Sequence, residues 1–145
     1  MPHRIIVFNH SPNVLLLIES ILKQKGFDVF TFLETMTDVA KVAELTPDLV
    51  IIGHVRGFAA DEMDIVYEFR NSPDTAHIPI ILCTTGAAQV RQNGDLANIA
   101  QVSIVAKPFD MHQLLEAVYT ALNLPIPKAT INKSNEALTD APTII

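Results

Sequence analysis

Five short apolar runs, each followed by a polar break and then a segment with helical spacing, constrain this chain more than any other feature. The runs are Arg4–Phe8, Phe27–Phe32, Leu49–Ile52, Ile78–Cys83 and Val102–Ala106. Four of them are nearly continuous in Val, Ile, Leu and Phe, the pattern of strands buried on both faces. The second alternates apolar and polar, as a strand nearer a sheet edge does. A β-α unit repeated five times predicts parallel strands joined by right-handed crossovers, with helices covering both faces. The expected fold class is α/β: a (βα)5 doubly wound parallel sheet in a three-layer sandwich.

The helical segments carry their own punctuation. Ser11-Pro12 offers a capping hydroxyl followed by a ring whose fixed φ suits a first helical turn. Val14, Leu15, Leu17, Ile18, Ile21 and Leu22 then fall on one face, and Gly26 supplies the stop. A short helix is expected through Val39–Leu45, started by Thr35 or Thr37 and ended by Pro47. A third begins with the acids Asp61, Glu62 and Asp64, which suit the positive end of the macrodipole, and Ser72-Pro73 breaks it. Residues 87–97 read as a helix interrupted by Asn93-Gly94. Asp110 is expected to cap a last helix carrying Leu114, Leu115, Val118 and Leu122. From Pro125 onward the residues are Thr-, Asn-, Ser- and Ala-rich, and two lysines balance two acids. The expected organisation is one domain over residues 1–124 and a flexible tail over 125–145, whose end, Pro142-Thr143-Ile144-Ile145, could alternatively be a short docking segment although an unstructured terminus is favoured.

Composition removes several classes. The formal net charge is −6 and no basic cluster occurs, so the electrostatic footprint of a nucleic-acid binder is missing. No apolar run approaches the ~20 residues needed to span a bilayer, and the residues before the first strand are too few for a leader. The single cysteine, Cys83, excludes an intramolecular disulfide and reads as inert core packing. No phosphate-cradling glycine loop follows the first strand, which speaks against a flavin site. The expectation is a cytoplasmic protein with no cofactor, no metal, no nucleic acid and no membrane among its partners.

Chemistry in an open parallel sheet gathers beyond the carboxyl ends of the strands. That crevice would collect Asn9, His10, Ser11, Gly53, His54, Thr84, Thr85 and Lys107. Gly53 ends the third strand, where a functional side chain is expected, and has none. Two histidines with Asn9 make a poor metal set, since no thiolate or carboxylate accompanies them. His10 could alternatively titrate as a pH sensor.

In order and spacing, these segments resemble the receiver domain of two-component response regulators over residues 4–123. The resemblance rests on the Ile5–Phe8 strand with three polar residues and Pro12 after it, on Pro47-Asp48-Leu49-Val50-Ile51-Ile52, on Ile78-Pro79-Ile80-Ile81 with Thr84, and on Lys107-Pro108-Phe109. It implies the flavodoxin-like strand order 2-1-3-4-5. It also implies a phosphoacceptor aspartate at position 53, adjacent acids at 9 and 10 that hold Mg²⁺, and an aromatic switch residue at 104. Here those positions are Gly53, Asn9, His10 and Ile104, with Ser11 where a third acid is frequent. Thr84 and Lys107 match the family's hydroxyl and lysine.

An aspartyl phosphate needs a carboxylate nucleophile, and Mg²⁺ prefers hard oxygen ligands. Both are missing at the matching positions, so the expectation is a degenerate receiver, not an enzyme. It would act in signal transduction as a phosphorylation-independent protein-interaction module. The resemblance places the interaction surface on the segment 87–97, the fifth strand and the last helix, with Arg91, Gln101, Ser103, His112 and Glu116 as contacts. A sensor kinase, a transcription factor or a second copy, as a homodimer, would be the partner. The alternative from the residues is a small-ligand or anion sensor built on Asn9, His10, Thr84 and Lys107, although Lys107 can equally cover apolar surface with its stem. Self-phosphorylation on Ser11, His54 or Thr84 is a third reading, disfavoured because no metal site would balance the phosphoryl charge.

Overall fold

The structure, a computed structural model, describes residues 2–9, 11–33, 39–53, 60–84, 101–106, 109–126 and 143–144. Its elements are β1 (Arg4–Phe8), α1 (Pro12–Gln24), β2 (Asp28–Phe32), α2 (Val39–Glu44), β3 (Leu49–Gly53), α3 (Ala60–Asn71), β4 (Ile80–Thr84), β5 (Val102–Ala106), β6 (Phe109–Asp110), α4 (Met111–Ala121) and β7 (Thr143–Ile144). The first five strands form one sheet in the order β2-β1-β3-β4-β5, and every neighbouring pair is parallel. The doubly wound reading holds.

Period-two alternation along each strand divides the core into two layers. Ile5 and Val7, Leu49 and Ile51, and Ile81 and Cys83 pack with Leu15, Ile18 and Leu22 of α1 and with Leu114, Leu115 and Val118 of α4. Their neighbours Ile6 and Phe8, Val50 and Ile52, and Ile80 and Leu82 face the other way, onto Val42, Val66 and Phe69. Cys83 is buried in the first layer, as a small hydrophobe would be.

The caps follow from the sequence. Ser11 Oγ accepts from Val14 N at 3.4 Å, with Pro12 in the first turn of α1. Lys25 N–H closes that helix on Ile21 and Leu22 carbonyls, and Gly26 takes φ 90°, a conformation that strains any side chain. Asp110 caps α4 through a reciprocal pair: its Oδ1 accepts from Gln113 N, and Gln113 Oε1 accepts from Asp110 N, both at 2.9 Å.

Two findings differ from the expected elements, and the first has a local cause. Strand β4 starts at Ile80, not Ile78, because the Ile78 N–H is committed to the Thr75 carbonyl in the turn that precedes it. The same turn buries Thr75, whose hydroxyl donates to the Phe69 carbonyl at 2.7 Å and so ties off the end of α3. Within the stretch expected to be a flexible tail, Thr143–Ile144 pairs antiparallel with β6, Phe109 opposite Ile144 and Asp110 opposite Thr143. Residues 127–142 and the helix expected over 87–97 lie outside the described residues.

Candidate functional site

The register Phe8↔Ile52 between β1 and β3 carries one step further to set Asn9 beside Gly53 at the carboxyl edge. By alternation both positions face the layer of Val7 and Ile51, so a side chain at one competes for space with a side chain at the other. Asn9 wins that space. A Cβ built on Gly53 would collide with Asn9 Nδ2 and lie 3.0 Å from Asn9 Cγ and 3.1 Å from the Phe8 carbonyl oxygen.

Asn9 is held there from several directions. Its Oδ1 accepts from the Ser11 N–H at 2.9 Å, a turn that Asn side chains commonly form with the backbone two residues on. Because that N–H requires an acceptor, the amide oxygen faces Ser11 and the NH₂ group faces Gly53. The Asn9 backbone N–H donates to the Phe32 carbonyl at 3.2 Å, and the residue is 5% exposed. On the other face of the sheet, Phe8 stacks on Phe32 with ring centroids 5.4 Å apart. Asn9 is therefore a packed, satisfied residue at a place where the fold otherwise exposes chemistry.

The resemblance implies Mg²⁺ at this edge, and the described residues do not fit it. Asn9 Oδ1 is already an acceptor for Ser11, and its NH₂, a donor group, points at the position where a metal-binding or phosphoryl-accepting carboxylate would stand. Gly53 contributes no side-chain oxygen. Among the described residues no group of three His, Cys, Asp or Glu comes together. No step through a bound Mg²⁺ is derived from this edge.

Of the other positions read from the sequence, Thr84 ends β4 opposite Ala106, so the backbone sets it at the same edge. His10, His54, Thr85, Arg91 and Lys107 lie outside the described residues. Ile104 is half-buried on β5, with Leu82 as its register partner. Gln101 is exposed at the foot of β5 with φ 63°, and its carbonyl accepts from Ile80 N and from Arg70 Nη2. The His112 ring sits in the first turn of α4, half-buried.

A groove of about 390 Å³ runs between β5 and α4. Ser103, Ile104 and Val105 form its floor, and Gln113, Glu116, Ala117 and Thr120 form its wall. Ser103 and Glu116, read from the sequence as contacts, are brought together here with Ile104, while Gln101 and His112 are not among its lining residues. Gln113 and Thr120 were missed by the sequence reading, although they recur with Glu116 at helical spacing on one face of α4.

At the level of the whole fold, the chemotaxis response regulator CheY4 of Vibrio cholerae superposes with a TM-score of 0.70 at 18% identity, covering 84% of this chain and all of that one. The fold is that of a receiver domain. A response regulator from Desulfuromonas acetoxidans matches with a TM-score of 0.67 at 24% identity, over 83% of this chain and 97% of the other. TrrA of Thermotoga maritima, solved in complex with Mg²⁺-BeF, matches with a TM-score of 0.65 at 26% identity, over 83% and 99%. In sequence, the chain is 25% identical over 141 residues to the DNA-binding dual master transcriptional regulator RpaA of Synechocystis. That alignment covers 96% of this chain and 57% of RpaA, so the chain spans little more than half the length of that relative. No family model matches the chain.

Proposed function

We propose that this chain is a pseudo-receiver: a receiver domain of response-regulator signal transduction that acts as a protein-interaction module without being phosphorylated at the end of β3. The observation that carries this reading is the contact between Asn9 and Gly53. The nucleophile position has no side chain, and the volume one would fill holds a buried, hydrogen-bonded amide. Glycine offers no atom to form an acyl phosphate, and an NH₂ group repels a cation there. A partner therefore reads the surface of the domain as it stands, not a phosphorylated form of it.

The groove between β5 and α4 supports the interaction part of the reading. Its mixed floor of Ser103, Ile104 and Val105, bordered by Glu116 and Gln113, suits a protein surface better than a small apolar ligand. Ile104 at the aromatic switch position removes the ring rotation that the resemblance implies, which leaves one surface state. A sensor kinase, a transcription factor or a second copy of this chain would be the partner. The acidic balance of the chain disfavours direct contact with nucleic acid, and the DNA binding in the name of RpaA belongs to a protein with a further stretch that this chain does not match.

Incubation of the protein with a small phosphodonor and Mg²⁺, followed by intact-mass measurement, tests the reading. The mass should stay unchanged, and Mg²⁺ with beryllofluoride should leave the thermal midpoint where it is. A stable gain of one phosphoryl group, or a clear upward shift with beryllofluoride, would overturn it. Glu116→Arg should at the same time weaken any self-association or captured complex at least tenfold without altering the fold.

A further inference from the structure

The pairing of β6 with β7 joins two places that the rest of the chain keeps apart. Strand β6 is two residues long, and Asp110, its second residue, is also the N-cap of α4. Its partner Thr143–Ile144 comes from beyond residue 126. The chain leaves α4 at the opposite end of that helix, where Leu124 N–H closes on the Tyr119 carbonyl and Leu124 and Ile126 pack on the core. The two described ends of the connection, Ile126 and Thr143, thus lie at opposite ends of α4.

The chain length between them is ample for pairing within one molecule. An 11-residue helix is about 16 Å long at 1.5 Å per residue. The connection over residues 127–142, extended, reaches roughly 55 Å at ~3.3 Å per residue, several times what is required. A two-residue antiparallel pair has few backbone bonds, so it opens readily on its own. Asp110 also shows why such a pair would be felt: its N–H is taken by Gln113 Oε1 and its carboxylate holds Gln113 N–H, so a strand seated beside it rests on the cap of α4.

We propose that the Phe109–Asp110 edge is a strand-docking site whose occupant is this chain's own Thr143–Ile144, forming a releasable intramolecular clasp on the first turn of α4. While seated, the clasp steadies the start of the helix that walls the β5–α4 groove. The clasp is independent of whether the carboxyl edge of β3 is ever phosphorylated.

A spin label placed at Ile145→Cys, in a Cys83→Ala background, tests the docking in the full chain. The amide signals of residues 109–113 should broaden strongly, to the same extent across a hundredfold dilution. Mixing isotope-labelled protein that lacks the spin label with unlabelled protein that carries it should produce no broadening. Absence of broadening in the first sample, or its appearance in the mixture, would overturn the intramolecular clasp. Ile144→Pro, which removes an N–H and fixes φ, should speed hydrogen exchange in the first turn of α4 about tenfold while β1, β3 and β4 keep their protection. Unchanged exchange there would show that the pair does not steady α4 and would equally overturn the proposal.

Discussion

The two ends of the central sheet are built in opposite ways. At the amino end Arg4 gathers charge and partners. Its backbone N–H meets Asp48 Oδ2 at 2.8 Å, and its guanidinium pairs with Asp28 at 3.1 Å, reaches the Leu45 carbonyl and Thr46 Oγ1, and lies 5.3 Å over the Phe30 ring. Arg4 and Asp28 remain about 36% and 40% exposed. At the carboxyl end the described residues next to the central strands are neutral, buried and filled: Asn9 over Gly53 on one face, Phe8 against Phe32 on the other. Doubly wound sheets place their chemistry at the carboxyl end. Here the amino end keeps its ties, and the other end is packed as if it were core. A fold can thus keep its frame while its reactive edge is converted into structure.

Substitutions at Phe8, Gly53, Asn9, Arg4 and Asp110 break or sharpen that contrast. Phe8→Ala should be the most costly, by roughly 3–5 kcal/mol, since it removes a fully buried ring and its stack on Phe32 from the other face of β1; urea denaturation measures it. Gly53→Asp should cost about 1–3 kcal/mol, because the new side chain must evict a hydrogen-bonded amide from buried space. A cycle with Gly53→Ala and Asn9→Ala isolates that conflict: the double variant should be more stable than the sum of the singles by about 0.5–3 kcal/mol. Additive effects would mean that the two residues do not compete. Arg4→Ala should lose roughly 1–2 kcal/mol, since its ion pair is half exposed and its backbone-directed bonds carry most of the loss. High salt should reduce that difference only slightly. Asp110→Ala should be the mildest, about 1 kcal/mol for a lost helix cap, with the effect confined to α4 in hydrogen exchange.

Much of the frame was legible because it depends on local pattern. Continuous apolar runs marked the central strands, and Ser11-Pro12 and Asp110 marked helix starts whose capping bonds are present. The Asp110–Gln113 box was legible too, as an acid followed three residues later by a glutamine, and was overlooked. Ile78 misled because it is apolar and precedes Pro79; only the turn bond to Thr75 shows that its N–H is unavailable to the sheet. The site was legible as a loss and not as a replacement. Gly53 announced a missing atom, but that Asn9 occupies the vacated volume depends on the β1–β3 register and on a side-chain rotamer, neither of which composition encodes. The β6–β7 pair was legible only as an apolar end, Pro142–Ile145, that could dock; where it docks was not, since two residues on each side are too few to show a period.

The Asn9–Gly53 contact also governs the routes by which this sequence could change. An aspartate introduced at 53 before position 9 shrinks or turns away meets the Asn9 amide. Replacing Asn9 first opens a void over a glycine and frees the Ser11 N–H. Each first step is unfavourable by itself, and only the pair together leads to an open carboxylate. Such sign-dependent coupling makes the present state a local optimum: single substitutions return to it, and a mutational walk toward an acidic edge must cross a valley in stability before it gains any chemistry.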